Sequence, residues 1–155
     1  MSRIPRTTAR VLPVSPDGAV LLLQEQDPAH PGIAWWGTIG GAVGPGESLV
    51  EAAVRELREE TGLVVAAELL TGPIGTGVHE FSFAGVDYVS HTNFFAVPLD
   101  RDVEVSFAGL EPEEVGNVLA AAWWNPSALE ADGTAAQPDI PDVMRRAVAV
   151  VRGTG

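Results

Sequence analysis

The chain has 155 residues, nine of them Arg and none Lys, against 21 Asp and Glu, giving a formal net charge of −12. That length suits a single domain over 1–155, and 46 % apolar with 19 % charged residues excludes a disordered chain, because such a composition buries enough hydrocarbon to offset ordering entropy. The lack of Cys excludes disulfides, thiolate zinc sites and Cys nucleophiles, the lack of Lys excludes a P-loop and Schiff-base chemistry, and the acidic balance repels long nucleic acids.

The first residues, MSRIPRTTAR, are basic but carry no apolar signal-peptide core, and no apolar run approaches the ~20 residues that span a bilayer. The expectation is a soluble, cytoplasmic protein with no membrane partner. Residues 8–14 and 19–24 are β-rich runs flanking Pro16, Asp17 and Gly18, which predicts a hairpin. The Gly-rich stretch after Trp35 and Trp36 ends in Pro45 and Gly46 and reads as a turn-rich loop. Ser48 and Glu51 then have capping-box spacing, residues 49–61 contain neither Gly nor Pro, and Gly62 stands at the stop position, so a helix is predicted there.

Further on, residues 63–70, 78–83, 86–90 and 93–99 read as strands. Residues 111–119 form a short helix or an acidic loop, and the run Ala120–Trp124 reads as another strand. Residues 131–139 are expected to be a loop. Residues 141–151, preceded by Asp139, read as a closing helix with Val143, Ala147 and Val150 on one face. Strands around two helices imply an α/β or α+β fold.

The helix at 49–61 carries the chemistry. At about 100° per residue, Glu56, Glu59 and Glu60 fall within an arc of about 100° that also contains Leu49, Ala52 and Ala53, so an apolar, inward face turns acidic in its last turns. Like charges four residues apart repel, and the helix C-terminus disfavours anions. A salt-bridge ladder through Arg55 is the plain alternative, but Arg58 lies on the far side of the wheel and one cation cannot balance three anions. A divalent metal ion can, and an oxygen-only ligand set selects Mg²⁺ or Mn²⁺ over zinc.

The spacing then carries a resemblance. From Gly41 the sequence runs through Glu47, Arg55, Glu56, Leu57, Glu59, Glu60, Gly62 and Leu63 at the intervals of the Nudix box, and it resembles that box at every specified position. Just upstream, Thr38-Ile39-Gly40-Gly41 stands in place of the family's commoner Pro-Gly-Gly form. The resemblance implies a Nudix-like α/β/α sandwich with a mixed sheet and a pyrophosphohydrolase acting on a nucleoside diphosphate linked to another moiety. It implies that Glu59 and Glu60 are metal ligands, and that Glu56 is a ligand or the base that prepares the attacking water. Arg55 would orient Glu56, Glu47 would support from the loop, and the Gly40 carbonyl would face the metal. A further carboxylate would come from Glu111, Glu113 or Glu114.

Other residues are weaker candidates. Arg10 is the preferred Arg for substrate phosphate, and Gly41 keeps the approach to substrate clear. Trp35, Trp36, Phe81, Tyr88 and Phe94 read as core aromatics that could otherwise stack on a base, and His79 and His91 flank the central strands. The partners expected are a small nucleotide-type substrate and, for a homodimer, a second copy of the chain. A sensor that binds a small ligand without turnover is the competing function, since a fold alone assigns no activity.

Overall fold

A computed structural model describes residues 3–153; residues 1–2 and 154–155 of the expected 1–155 domain lie outside the described residues. Seven strands form one mixed sheet: β1 (Ile4–Val14), β2 (Val20–Gln26), β3 (Ala34–Gly37), β4 (Ile39–Ala42), β5 (Thr71–Phe83), β6 (Val86–Pro98) and β7 (Val118–Trp124). The sheet runs β3-β2-β1-β6-β5, with β4 added to β1 and β7 to β2. The β1–β6 pair is parallel, from Ile4 opposite Tyr88 to Val14 opposite Pro98, and the other pairs are antiparallel. The other edge of β1 is divided: β4 takes Thr8 to Val11 and β2 joins only at Val14, so the sheet forks along its central strand.

Alternation along the strands makes the sheet two-sided. On one face Val11, Leu21, Leu23, Phe95 and Val97 pack against Ala52, Ala53 and Leu57 of α1 (Leu49–Thr61). On the other, Leu12, Val20, Leu22 and Phe94 meet Leu129 of α2 (Pro126–Asp132) and Ile140, Val143, Met144 and Ala147 of α3 (Ile140–Arg152). The result is the expected α/β/α sandwich. Among the described residues, no helix is long and apolar enough to cross a membrane.

Helix α1 begins and ends where its sequence signals place it. Ser48 Oγ accepts the Glu51 N–H at 3.1 Å, Glu51 Oε1 accepts the Ser48 N–H at 2.8 Å, and Gly62 closes the helix at φ +75°. The hairpin at 8–24 also forms, although its strands separate beyond Val14 and Val20 because β4 takes the same edge of β1 and β3 the same edge of β2.

Several expectations are corrected. Residues 63–70 form no strand: they pair with no strand of the sheet, and only a 3₁₀ turn at Ala67–Leu69 is regular. The two strands expected at 86–90 and 93–99 are one, and β5 starts at Thr71 rather than at 78, with an irregular register between Thr71 and Gly75. The Gly-rich stretch contains β3 and β4, because Gly40 and Gly41 pair with Arg10 and Ala9, and Ile39 fills the core opposite Val11.

Helix α2 has no hydrophobic period long enough to announce it, yet Asn125 caps the Ser127 N–H at 2.9 Å, Pro126 opens it and Gly133 ends it; the expected loop at 131–139 therefore starts two residues late. In α3 Val150 is 38 % exposed, outside the packed face, and Val151 packs in its place. Residues 112–117 are turns, which decides for the loop rather than the helix there.

Candidate active site

The last turns of α1, strand β4, the start of β1 and the turn before β7 enclose a cleft of ≈ 400 Å³. Glu56 and Glu60 project into it from α1, Gly40 and Gly41 from β4, Arg6 and Arg10 from β1, Glu25 from β2, and Glu111, Glu113 and Glu114 from the turn. The glycines are required by close approach. A Cβ on Gly41 would lie 2.8 Å from Glu56 Oε1, and one on Gly40, whose φ is +147°, would lie 2.2 Å from the Ala9 carbonyl oxygen.

Arg55 organises one side of the cleft. Its Nε and Nη2 donate to Glu47 at 2.7 and 3.0 Å, Nη1 donates to both Glu56 and Glu59 at 3.0 Å, and Nη2 also reaches the Ala42 carbonyl at 3.0 Å. The planar fork suits such divided donation, which an ammonium could not reproduce. Glu47 in turn accepts the Gly44 N–H at 2.8 Å. The Arg55 bonds, and then the Gly44 N–H, hold the Glu47 carboxyl down at about 2. Glu59 leans to Arg55 and does not line the cleft.

Glu60 lies deeper. It is 2 % exposed, and its Oε1 accepts the Gly40 N–H at 2.7 Å. Burial, and then the charges of Glu25 and Glu114, push its carboxyl well above the usual carboxylate range, with Arg10 opposing. Burial likewise pushes Glu25 up to about 7, and Glu56 is raised by burial in spite of Arg55. A buried, hydrogen-bonded carboxylate beside two others, with no guanidinium bonded to it, is electrostatically incomplete.

The donor chemistry fits a hard divalent cation: Glu25, Glu56, Glu60 and Glu114 bring carboxylate oxygens to one cleft, and a positive charge there would offset them. Among the described residues no three such side chains already form a closed metal cage, because Glu56 and Glu59 are drawn onto Arg55 and Glu60 onto the Gly40 N–H.

The arginines divide their roles. Arg10 Nη1 donates to the Thr38 and Gly40 carbonyls, both at 3.0 Å, so the Gly40 oxygen expected to face a metal is engaged by Arg10. Arg6, on the same face of β1, was not singled out from the sequence. Its guanidinium stands 5.2 Å from the Tyr88 ring centroid and 5.8 Å from that of Phe81, rings that stack on each other. Burial, and then the neighbouring Arg10, lower its pKa. An alternation of Arg6, buried Thr8 and Arg10 along one strand face was the available signal.

Glu25 was also missed. It continues the face of Leu21 and Leu23 along β2, and an acidic residue extending an apolar strand face is the cue that would have found it. Of the three turn glutamates Glu114 alone is partly buried and bears on Glu60; Glu111 and Glu113 are exposed. Trp36 and Phe94 pack in the core as expected. Trp35 is 45 % exposed instead, and Phe81 and Tyr88 line the cleft, because their sheet face runs past the end of α3. His79 pairs with Asp139, and His91 is exposed.

A family model described as the NUDIX domain matches residues 4–146. The chain belongs to the Nudix family of hydrolases. The family acts on nucleoside diphosphate derivatives and generally uses divalent metal ions. A curated relative, the uncharacterized Nudix hydrolase YvcI of Bacillus subtilis (strain 168), is 39 % identical over 72 residues, which is 46 % of this chain and 41 % of that protein. The match thus spans about two fifths of the relative's length.

Among solved structures, the MutT protein from Methanosarcina mazei Go1 is similar with a TM-score of 0.71 at 20 % identity, covering 98 % of this chain and 99 % of that one. The E. coli dihydroneopterin triphosphate pyrophosphohydrolase is similar with a TM-score of 0.64 at 21 % identity, covering 99 % and 100 %. At these identities the likeness establishes the Nudix fold.

Proposed function

We propose that this Nudix chain is a metal-dependent pyrophosphohydrolase that cleaves the diphosphate of a small nucleotide-type substrate, with Mg²⁺ or Mn²⁺ held in the acidic cleft. The observation that carries this reading is Glu60: a carboxyl that is 2 % exposed, accepts the Gly40 N–H, and is raised by burial and by the neighbouring Glu25 and Glu114. A pure binding module gains nothing from such a repulsive set. When bound, the cation neutralises diphosphate oxygens and activates water.

The chain's own residues supply the remainder. Glu56 and Glu60, which line the cleft, would hold the cation, joined by Glu59 once its carboxylate is released from Arg55. Glu56, oriented by Arg55 and Glu47, would be a cation ligand or the base that takes a proton from the attacking water. Glu114 stands across the cleft from α1 as a second acceptor. Arg10, braced on two carbonyls, and Arg6, stacked on aromatic rings, present positive charge to the substrate phosphates. Gly41 leaves the space that a side chain would close.

Incubation with ADP-ribose, nucleoside triphosphates and dinucleoside polyphosphates, with Mg²⁺ and with Mn²⁺, tests the reading through phosphate or mononucleotide release. Metal-dependent turnover of at least one compound is expected. No turnover of any, together with tight binding of one, would favour the sensor.

A further inference from the structure

A second pocket of ≈ 250 Å³ opens beside the acidic cleft, and Arg10, Glu25, Gln26, Phe81 and Phe83 line both. The two differ in chemistry. Where the cleft is walled by carboxylates, the pocket is walled by Trp35 from β3, by Phe81 and Phe83 from β5, and by Phe94 from β6. Trp35 spends a large indole on solvent at 45 % exposure, although Trp36 beside it finds the core and packs edge-on against Trp124 at 5.5 Å. Aromatic faces left open in a concave site are surfaces on which a planar ring stacks. The volume lies below the ~300 Å³ at which pockets enclose whole drug-sized ligands, and so suits one ring system rather than an entire nucleotide.

The end of the pocket is polar. His79 Nε2 lies 2.9 Å from Asp139 Oδ2, and the imidazole stands edge-on to Phe94 with centroids 6.4 Å apart. Asp139 occupies the N-cap position of α3 but caps no backbone N–H, its carboxylate being turned to β5. Its other oxygen, Oδ1, is buried and has no hydrogen-bond partner among the described residues. The Asp139 side chain is 40 % exposed and lines the pocket, and a turn of its carboxylate would present this unused acceptor capacity to a ligand N–H.

We infer that this pocket seats the heterocyclic base of the substrate, with Trp35 and Phe81 as stacking walls and the His79–Asp139 pair as a specificity-determining edge that favours a base carrying an amino group. The inference rests on the acidic cleft being the diphosphate site, since the shared lining then places base and diphosphate in adjoining halves of one groove. A carboxylate accepts and cannot donate, so the edge reads N–H groups. A site built to accept an N–H rejects the analogue that lacks it more strongly than a stacking surface could.

The test compares diphosphate derivatives of adenosine and of purine riboside, which lacks only the amino group, with a simple alkyl diphosphate that has no base. In the wild type, KM for the adenosine compound should be at least about 10-fold below that for the purine compound. Asp139→Asn should narrow that ratio to near unity, and Trp35→Ala should raise KM for both base-bearing compounds about 10-fold with kcat nearly constant. Neither variant should change KM for the alkyl diphosphate. Equal shifts for all three compounds, or none, would overturn the assignment.

If no diphosphate is turned over, the proposed hydrolase reading fails, and the pocket is probed separately without metal. Adenosine should quench wild-type tryptophan fluorescence more than it quenches Trp35→Phe. Equal quenching, or none, would overturn the pocket as a base site. Thermal melts confirm that the variants are folded.

Discussion

The carboxylate of Glu60 meets the backbone N–H of Gly40 at 2.7 Å, joining the last turn of α1 to β4 through a hydrogen bond almost wholly out of solvent. One N–H satisfies one lone pair of an acceptor that has about four. Beyond it, Glu25 and Glu114 act on this carboxyl in the same sense as burial, with Arg10 opposing. The fold therefore keeps a local electrostatic cost at this point, which a bound cation would relieve.

Divalent metal should therefore stabilise the protein. A ligand that binds the native state alone raises stability by mass action, by about 2.7 kcal/mol at 100 times its Kd. Melting temperature at neutral pH should rise with millimolar Mg²⁺ or Mn²⁺ and return on chelation. Na⁺ at equal ionic strength should not reproduce the rise, because screening acts weakly on a buried site. A melting curve indifferent to both metals would remove the cation from the account.

Arg55 should not be replaceable by Lys. Its guanidinium serves Glu47, Glu56, Glu59 and the Ala42 carbonyl at once, and an ammonium cannot keep that planar arrangement. Arg55→Lys should lower stability by about 2 kcal/mol, the scale of charge-assisted hydrogen bonds, and lower kcat by at least about 10-fold. Chemical denaturation and steady-state rates measure the two. Full activity in Arg55→Lys would mean that Glu56 needs no orientation.

Glu47 gives a pH dependence with a definite sign. Arg55 holds its folded pKa at about 2, below the ordinary 4.5, so the folded state favours the ionised form. The stability this contributes is present above pH 4.5 and is lost as pH falls through the window towards 2. Glu47→Gln should be less stable at pH 6 and lose less on going to pH 3, as read from denaturation midpoints at the two values. Parallel losses in both proteins would show that the pair carries no linkage.

Much of this arrangement is legible in the residues themselves. The period of α1, its capping box and its terminal Gly are local signals that place the helix, and the resemblance to the Nudix box implied the linkage of Glu47, Arg55 and Glu56 that the hydrogen bonds form. Two kinds of feature were not local. Gly40 and Gly41 read as a turn because their strand character comes only from pairing with β1, and residues 63–70 read as a strand although they pair with none. Glu25 and Arg6 reach the cleft through sheet register, which sets distant strands side by side; alternation within each strand gives the face of each residue but not the neighbours it meets. Glu59 shows the reverse: its place on the wheel is right, but Arg55 claims it.

The most direct test of the central claim is hydrolysis of the best diphosphate substrate with saturating Mg²⁺ by wild type, Glu60→Gln and Glu51→Gln in parallel. Gln at position 60 keeps an acceptor for the Gly40 N–H while removing the buried charge. Glu51 belongs to the exposed capping box, where Gln also serves. The account predicts a fall of at least about 100-fold for Glu60→Gln, with metal-free stability unchanged or higher, and near wild-type turnover for Glu51→Gln. Equal activity in the two variants would contradict the assignment of Glu60 to a catalytic metal site.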